Sequence, residues 1–264
     1  MKITALVENE SNCELKAKHG LSLYIETDRH KILFDLGPDQ TLFQNAEKRN
    51  IDLTKVDTVV ISHGHLDHGG ALGRFLDVNH TARVYVQRKA FEPHFTKVFG
   101  IKFNCGIKPQ FQNHPQVKLV DGDYSIDDEL QLITVKDKSR CYSAMNDSLY
   151  EGNEKDQFEH EQHLIIKGER NALIMGCGHA GVVNIMSAAE KYKPALCVGG
   201  YHLMNPNSQK SVSETLMDQI IGALKKYPYT KFYTCHCTGR RAYNYMADRM
   251  PNLRYLACGE SVSL

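Results

Sequence analysis

Residues 56–70 read VDTVVISHGHLDHGG, and this stretch decides the fold. Val56 to Ile61 is short, apolar and β-branched, the composition of a buried strand. Directly after it, His63, His65, Asp67 and His68 fall within six positions. Imidazole nitrogens and a carboxylate oxygen are good ligands for Zn2+ and neighbouring divalent ions. A tight loop sets alternate side chains on one side, so His63 and His65 can grip one ion while Asp67 and His68 face a second position. Gly64, Gly69 and Gly70 allow the sharp turn. The competing interpretation is a histidine-rich surface turn, which the strand delivering the motif disfavours.

Outward from the motif, KITALVEN, LSLYIET and KILFDLG read as strands. DQTLFQNAEKRN has helical spacing with Leu42, Phe43 and Ala46 on one side, GGALGRFL predicts a helix directly after the histidines, and ARVYVQ the next strand. Between Lys89 and His160 the pattern loosens into a polar, turn-rich excursion with strand signals only at VKLV and LQLITV, a composition suited to a lid. The second half then alternates: strands HLIIKG and NALIMG, loop CGH, helix AGVVNIMSAAEKY; strand ALCVGG, loop YHL, a helix near Ser211 to Lys226; strand KFYTCH, loop CTG, helix RRAYNYMADRM; and a closing strand LRYLAC. Two strand-rich halves with helices outside predict one four-layer α/β domain spanning 1–264, with ligands bound just beyond strand ends.

Composition narrows the function. The 264 residues are 42% hydrophobic and 24% charged, with 32 basic against 31 acidic side chains. That balance offers no field for nucleic acid or an anionic membrane. The N-terminal apolar stretch breaks at Glu8, too short for a signal peptide, and no run approaches a membrane span. The expected location is therefore cytoplasmic, with the eight cysteines as reduced thiols.

SHGHLDHGG resembles the signature of the metallo-β-lactamase superfamily, whose members bind one or two metals at the mouth of an αββα sandwich. ILFDLG resembles that superfamily's early strand, ending in a buried Asp that supports the site, here Asp35. MGCGHAGVVNI, VGGYHL and CHCTG resemble the branch of dihydropterin-6-methyl-(ribofuranosyl)aminobenzene 5′-phosphate synthases and their uncharacterised hydrolase relatives; the motifs run in order from residue 32 to 239. The resemblance implies that His179 joins His63 and His65 on a first metal, and that His236 joins Asp67 and His68 on a second. Zn2+ is the expected ion, two per chain, with Mn2+ or Fe as alternatives.

Two departures stand out. Where many members carry an HTPGH-like turn this chain reads FEHEQHLII, which makes His160 and His163 conceivable substitute ligands. Where the superfamily has GD, with an Asp bridging both ions, this chain has Cys177, read as a packed thiol like Cys235 and Cys237. His202, at another strand end, is the candidate general acid or oxyanion donor, and Asp67 could orient a water. Arg240 and Asn184, with His202, are candidates for holding an anionic small-molecule substrate. The implied function is a metal-dependent hydrolase or transferase acting on a phosphorylated, pterin-like molecule; the alternative is a metal-binding sensor or redox protein on the same fold.

Overall fold

The computed structural model describes residues 1–264. The chain gathers into two compact units, one formed by Met1–Asp121, Ser148–His160 and Leu256–Leu264, the other by Gly122–Asp147 and Glu161–Tyr255.

The first unit is built on a seven-stranded sheet in the order Ser261–Ser263, Lys2–Val7, Ser22–Glu26, Lys31–Phe34, Thr58–Ile61, Arg83–Gln87, Val117–Val120. Pairing is antiparallel up to Lys31–Phe34 and parallel beyond it. The strand that delivers the motif is therefore central and buried at every position, which is why it is apolar without alternation. Val59 and Ile61 pack with Leu33, Val84 and Val86, and the helices Thr41–Lys48 and Leu72–Val78 add Leu42, Ala46, Phe75 and Leu76 to the same core. The helix predicted at GGALGRFL begins at Leu72 and runs to Val78, and a separate single turn, Leu66–Gly69, precedes it and carries Asp67 and His68.

A second sheet of this unit, ordered Glu154–Lys155, Leu149–Glu151, His94–Val98, Ile101–Asn104, lies within the stretch that looked irregular. Its hairpin evaded the pattern because it has little buried face. All four residues of Ile101–Asn104 are exposed, as is Phe99 at the turn, so alternation carries no hydrophobic signal there.

The second unit has its own seven-stranded sheet, ordered Leu253–Tyr255, Lys231–Thr234, Leu196–Gly199, Ala172–Ile174, His163–Ile166, Leu130–Ile133, Tyr124–Ser125. The first four strands are mutually parallel and the remainder antiparallel. Helices Val182–Ala189, Glu214–Leu224 and Arg240–Ala247 bury Ile185, Met186, Ile220, Leu224, Ala242 and Met246 in a separate core with Leu173, Cys197 and Phe232. The second helix begins three residues later than expected, because the Ser213 side chain caps it by accepting from the Leu216 N–H at 3.3 Å. No helix is long and apolar enough to cross a membrane.

Candidate metal centre

Four groups at the carboxyl end of strand Thr58–Ile61 are organised by one carboxylate. Strand Lys31–Phe34 ends at Asp35, which is fully buried and held at φ 61°, a left-handed conformation that Asp tolerates better than most residues. Its oxygens accept from the Ser62 N–H at 2.7 Å, the Ser62 hydroxyl at 2.7 Å and His68 Nδ1 at 2.6 Å. Ser62 Oγ also lies 2.8 Å from His63 Nδ1. Because the hydroxyl proton is committed to Asp35, Ser62 accepts from His63 Nδ1–H. The network thus assigns the Nδ1–H tautomer to both His63 and His68 and leaves a lone pair on each Nε2. A carboxylate that fixes a ring's tautomer and orientation in this way is the usual support of a metal-binding histidine.

The donor set fits a metal. The His63 ring centroid lies 4.6 Å from His65 and 4.2 Å from His68, with all three rings buried. Asp67 Oδ2 lies 3.6 Å from His68 Nε2 and 3.4 Å from His19 Nε2. Burial, and then the charge of neighbouring His160, hold the His65 imidazolium well below its usual range, so the ring stays neutral and able to donate a lone pair.

Behind His65 is a network the sequence did not disclose. Asp156 Oδ2 meets His160 Nε2 at 3.0 Å and His94 Nδ1 at 3.2 Å, while His94 Nε2 lies 3.1 Å from the Lys89 carbonyl oxygen. His160 Nδ1 accepts from the Gly64 N–H at 2.9 Å, so His160 holds the backbone of the metal loop. Burial opposes ionisation of Asp156, but hydrogen bonds from His160 and His94 outweigh it and keep its carboxyl below the usual range. His94 stands alone in the sequence and Asp156 sits in a polar run, so neither gave a motif. A Cβ at Gly64 would press on the Ala90 carbonyl oxygen and sit 2.7 Å from His94 Nε2, so only glycine fits between the two histidines.

In the second unit, His179 follows strand Ala172–Ile174 in a loop pinned by Glu161, whose carboxylate accepts from the His179 N–H at 2.7 Å and the Ala180 N–H at 2.8 Å. Burial pushes the Glu161 carboxyl up to about 7 despite those bonds. Asn146 Nδ2 donates to the His179 carbonyl at 3.0 Å and its Oδ1 accepts from His179 Nδ1 at 2.9 Å, again leaving Nε2 as the lone-pair nitrogen. His163 opens strand His163–Ile166 with its ring buried and its Nε2 3.8 Å from Glu161 Oε2. Burial and the charge of Lys138 lower it to about 3.

His236 begins a 3-10 turn at φ 52°, two residues after strand Lys231–Thr234. The chain therefore does not continue as the strand KFYTCH, and the Cys237 Sγ lies 3.4 Å from the Cys177 carbonyl oxygen. Burial pushes the Cys237 thiol up, but the proximity of Cys177, His202 and His236 outweighs this and brings it well below the ordinary thiol range. His202 is buried at φ 49°, its carbonyl accepting from the Ser143 hydroxyl at 2.6 Å and its ring centroid 4.2 Å from His179. Both amide hydrogens of Asn184 are given to backbone carbonyls, of Arg140 at 2.9 Å and Ala180 at 2.8 Å. The Arg240 guanidinium stacks 3.9 Å from the Tyr255 ring centroid.

A family model of the metallo-beta-lactamase superfamily matches residues 16–135. An uncharacterized protein of Methanocaldococcus jannaschii is 28% identical over 247 residues, 91% of each chain. The 7,8-dihydropterin-6-methyl-4-(β-D-ribofuranosyl)-aminobenzene-5′-phosphate synthase of the same organism is 26% identical over 294 residues, covering 99% of this chain and 96% of that one. Among solved structures, Tm1679, a metal-dependent hydrolase of the β-lactamase superfamily, matches with a TM-score of 0.83 at 24% identity, over 100% of this chain and 99% of that one. The α/β fold with mixed sheets is of metallo-β-lactamase type.

Proposed function

We propose that the chain is a member of the metallo-β-lactamase superfamily, a model of which matches residues 16–135, and that it is a metal-dependent hydrolase or transferase of a phosphorylated small molecule, pterin-like in class. The observation that carries the metal is the Asp35 network, which turns the Nε2 lone pairs of His63 and His68 away from their hydrogen-bonded Nδ1 atoms. We assign His63, His65 and His179 to one ion and Asp67, His68 and His236 to a second, with Zn2+ the fitting metal. Such an ion supplies Lewis acidity, drawing charge from a phosphoryl or carbonyl oxygen and making water more acidic. The protein's own part is orientation: Asp35 and Asn146 fix ring tautomers, His160 and Glu161 hold the loop backbones, and Asp67 orients the attacking oxygen. His202 is the proposed donor to the oxygen that gains charge, and Arg240 the proposed partner of an anionic group. The phosphorylated class is supported by the name of the synthase relative.

The test is a panel of phosphomonoesters, phosphodiesters, pterin diphosphates and thioesters, offered to Zn2+- or Mn2+-reconstituted protein. Turnover of a phosphorylated member, lost in His63→Ala, is expected. Turnover of thioesters alone would overturn the substrate class, and metal-independent turnover the mechanism.

A further inference from the structure

Three adjacent strands of the second unit, Ala172–Ile174, Leu196–Gly199 and Lys231–Thr234, run parallel and in register. Each is followed within three residues by a side chain that binds soft or borderline metals: Cys177, His202 and Cys237. Their ligand atoms lie within 4.8 Å of one another, and all three residues are buried. Donors around a tetrahedral zinc ion, with Zn–S near 2.3 Å and Zn–N near 2.0 Å, stand about 3.5 Å apart, so small side-chain shifts close the set.

A second observation points into the same place. Neither ring nitrogen of His202 has a hydrogen-bond partner, although the residue is only 8% exposed. An imidazole buried without partners forgoes the hydrogen bonds it would make in water, and a cation at its lone pair removes part of that deficit. The backbone is cut to admit the sulfur. A Cβ on Gly200 would sit 2.5 Å from Cys237 Sγ and 3.5 Å from Cys177 Cα. The turn itself is fastened by the Thr238 hydroxyl, which accepts from the Tyr201 N–H at 2.9 Å.

We propose that Cys177, His202 and Cys237 form a thiolate-rich metal site within the second unit, suited to Zn2+ and other thiophilic ions and open at one coordination position. Binding exchanges the two thiol protons for the ion, so uptake releases them to solvent. Cys177 Sγ also lies within 4.8 Å of a His236 ring nitrogen, so the site adjoins the histidine and aspartate ligands through Cys177, and His202 and Cys237 are what distinguish it. His202 has two ring nitrogens, so ligation by one leaves the other for the hydrogen bond expected from the sequence.

Cobalt separates sulfur ligation from nitrogen and oxygen ligation, because only thiolates give an intense near-ultraviolet ligand-to-metal band. The full chain loaded with Co2+ is expected to show that band, Cys237→Ser to lose most of it, and His63→Ala to keep it. In parallel, Zn2+ should slow iodoacetamide labelling of Cys237 at least tenfold, read by mass spectrometry on wild-type protein, which decides the matter even if Cys237→Ser does not fold. Wild type without the band and with unchanged labelling overturns the site. Loss of the band in folded His63→Ala also overturns it, because the sulfur would then depend on the histidine set. A band in protein that turns over none of the panel sinks the proposed function and leaves this inference standing.

Discussion

Replacing Asp35 with Asn tests how the metal loop is built. Asparagine accepts φ 61° at least as readily as aspartate, so the backbone can stay. One carboxylate oxygen survives as the amide carbonyl and keeps the Ser62 N–H. The other becomes an NH2 facing the Ser62 hydroxyl and His68 Nδ1, at positions now 2.7 and 2.6 Å from Oδ2. Two donors cannot share one bond, so His68 must give up its Nδ1 proton and carry hydrogen on Nε2. The Ser62 hydroxyl must reverse and donate to His63 Nδ1, moving that ring's proton to Nε2 as well. One substitution thus turns two lone pairs into N–H groups. Losing a supporting partner costs roughly 10–100-fold in metal affinity per ligand. Two ligands together predict a loss on the order of 10²–10⁴, or about 2.7–5.5 kcal/mol. The metal-free protein should lose only about 1–3 kcal/mol, since charge-assisted bonds become neutral ones. Zn2+ affinity by competition against a chelator, with denaturant unfolding of the apo form, separates the two effects. Affinity within twofold of wild type in folded Asp35→Asn protein would refute the tautomer argument.

Other consequences follow from the same structure. Glu161 and His163 have opposite linkage: with its pKa raised to about 7, Glu161 makes stability fall as pH rises from about 4.5 to 7, whereas His163, lowered to about 3, makes stability fall as pH drops from 6.5 to 3. Between pH 4.5 and 6.5 the two slopes, each at most about 1.4 kcal/mol per pH unit, nearly cancel. His163→Phe should therefore gain stability on acidification in that window and Glu161→Gln lose it, measured by urea unfolding; parallel profiles in both variants would contradict this. Gly64→Ala, whose methyl would meet Ala90 and His94, should cost about 1–3 kcal/mol and weaken Zn2+ binding; an unchanged melting temperature would show that the loop can move. Gly222, exposed within helix Glu214–Leu224 with open space at its Cβ position, should accept Ala with a gain of about 0.5–1 kcal/mol in thermal unfolding, and a loss there would count against the helix assignment.

The parts legible in the sequence were those with a strong local signal. Thr58–Ile61 is central and buried at every position, so the apolar run around it announced itself, and the spacing of His63, His65, Asp67 and His68 carried the chemistry. Helix Glu214–Leu224 was visible from its periodicity, with only its start misplaced until Ser213 was seen to cap it. The hairpin at His94–Asn104 was illegible because its outer strand buries nothing. Likewise Asp156, Glu161 and Asn146 act through long-range hydrogen bonds to backbone and ring nitrogens, which no spacing rule encodes. The strand read as KFYTCH stops at Thr234, because His236 turns the chain at positive φ.

Metal content tests the central claim most directly. Protein purified without chelator should contain up to two equivalents of Zn, Mn or Fe by plasma mass spectrometry, beyond any ion held by Cys177, His202 and Cys237. Chelation should remove metal and turnover together, and added Zn2+ or Mn2+ should restore both, while His63→Ala stays deficient with its far-UV spectrum intact. A folded protein that takes up no metal, or one whose turnover survives complete metal removal, would contradict the account.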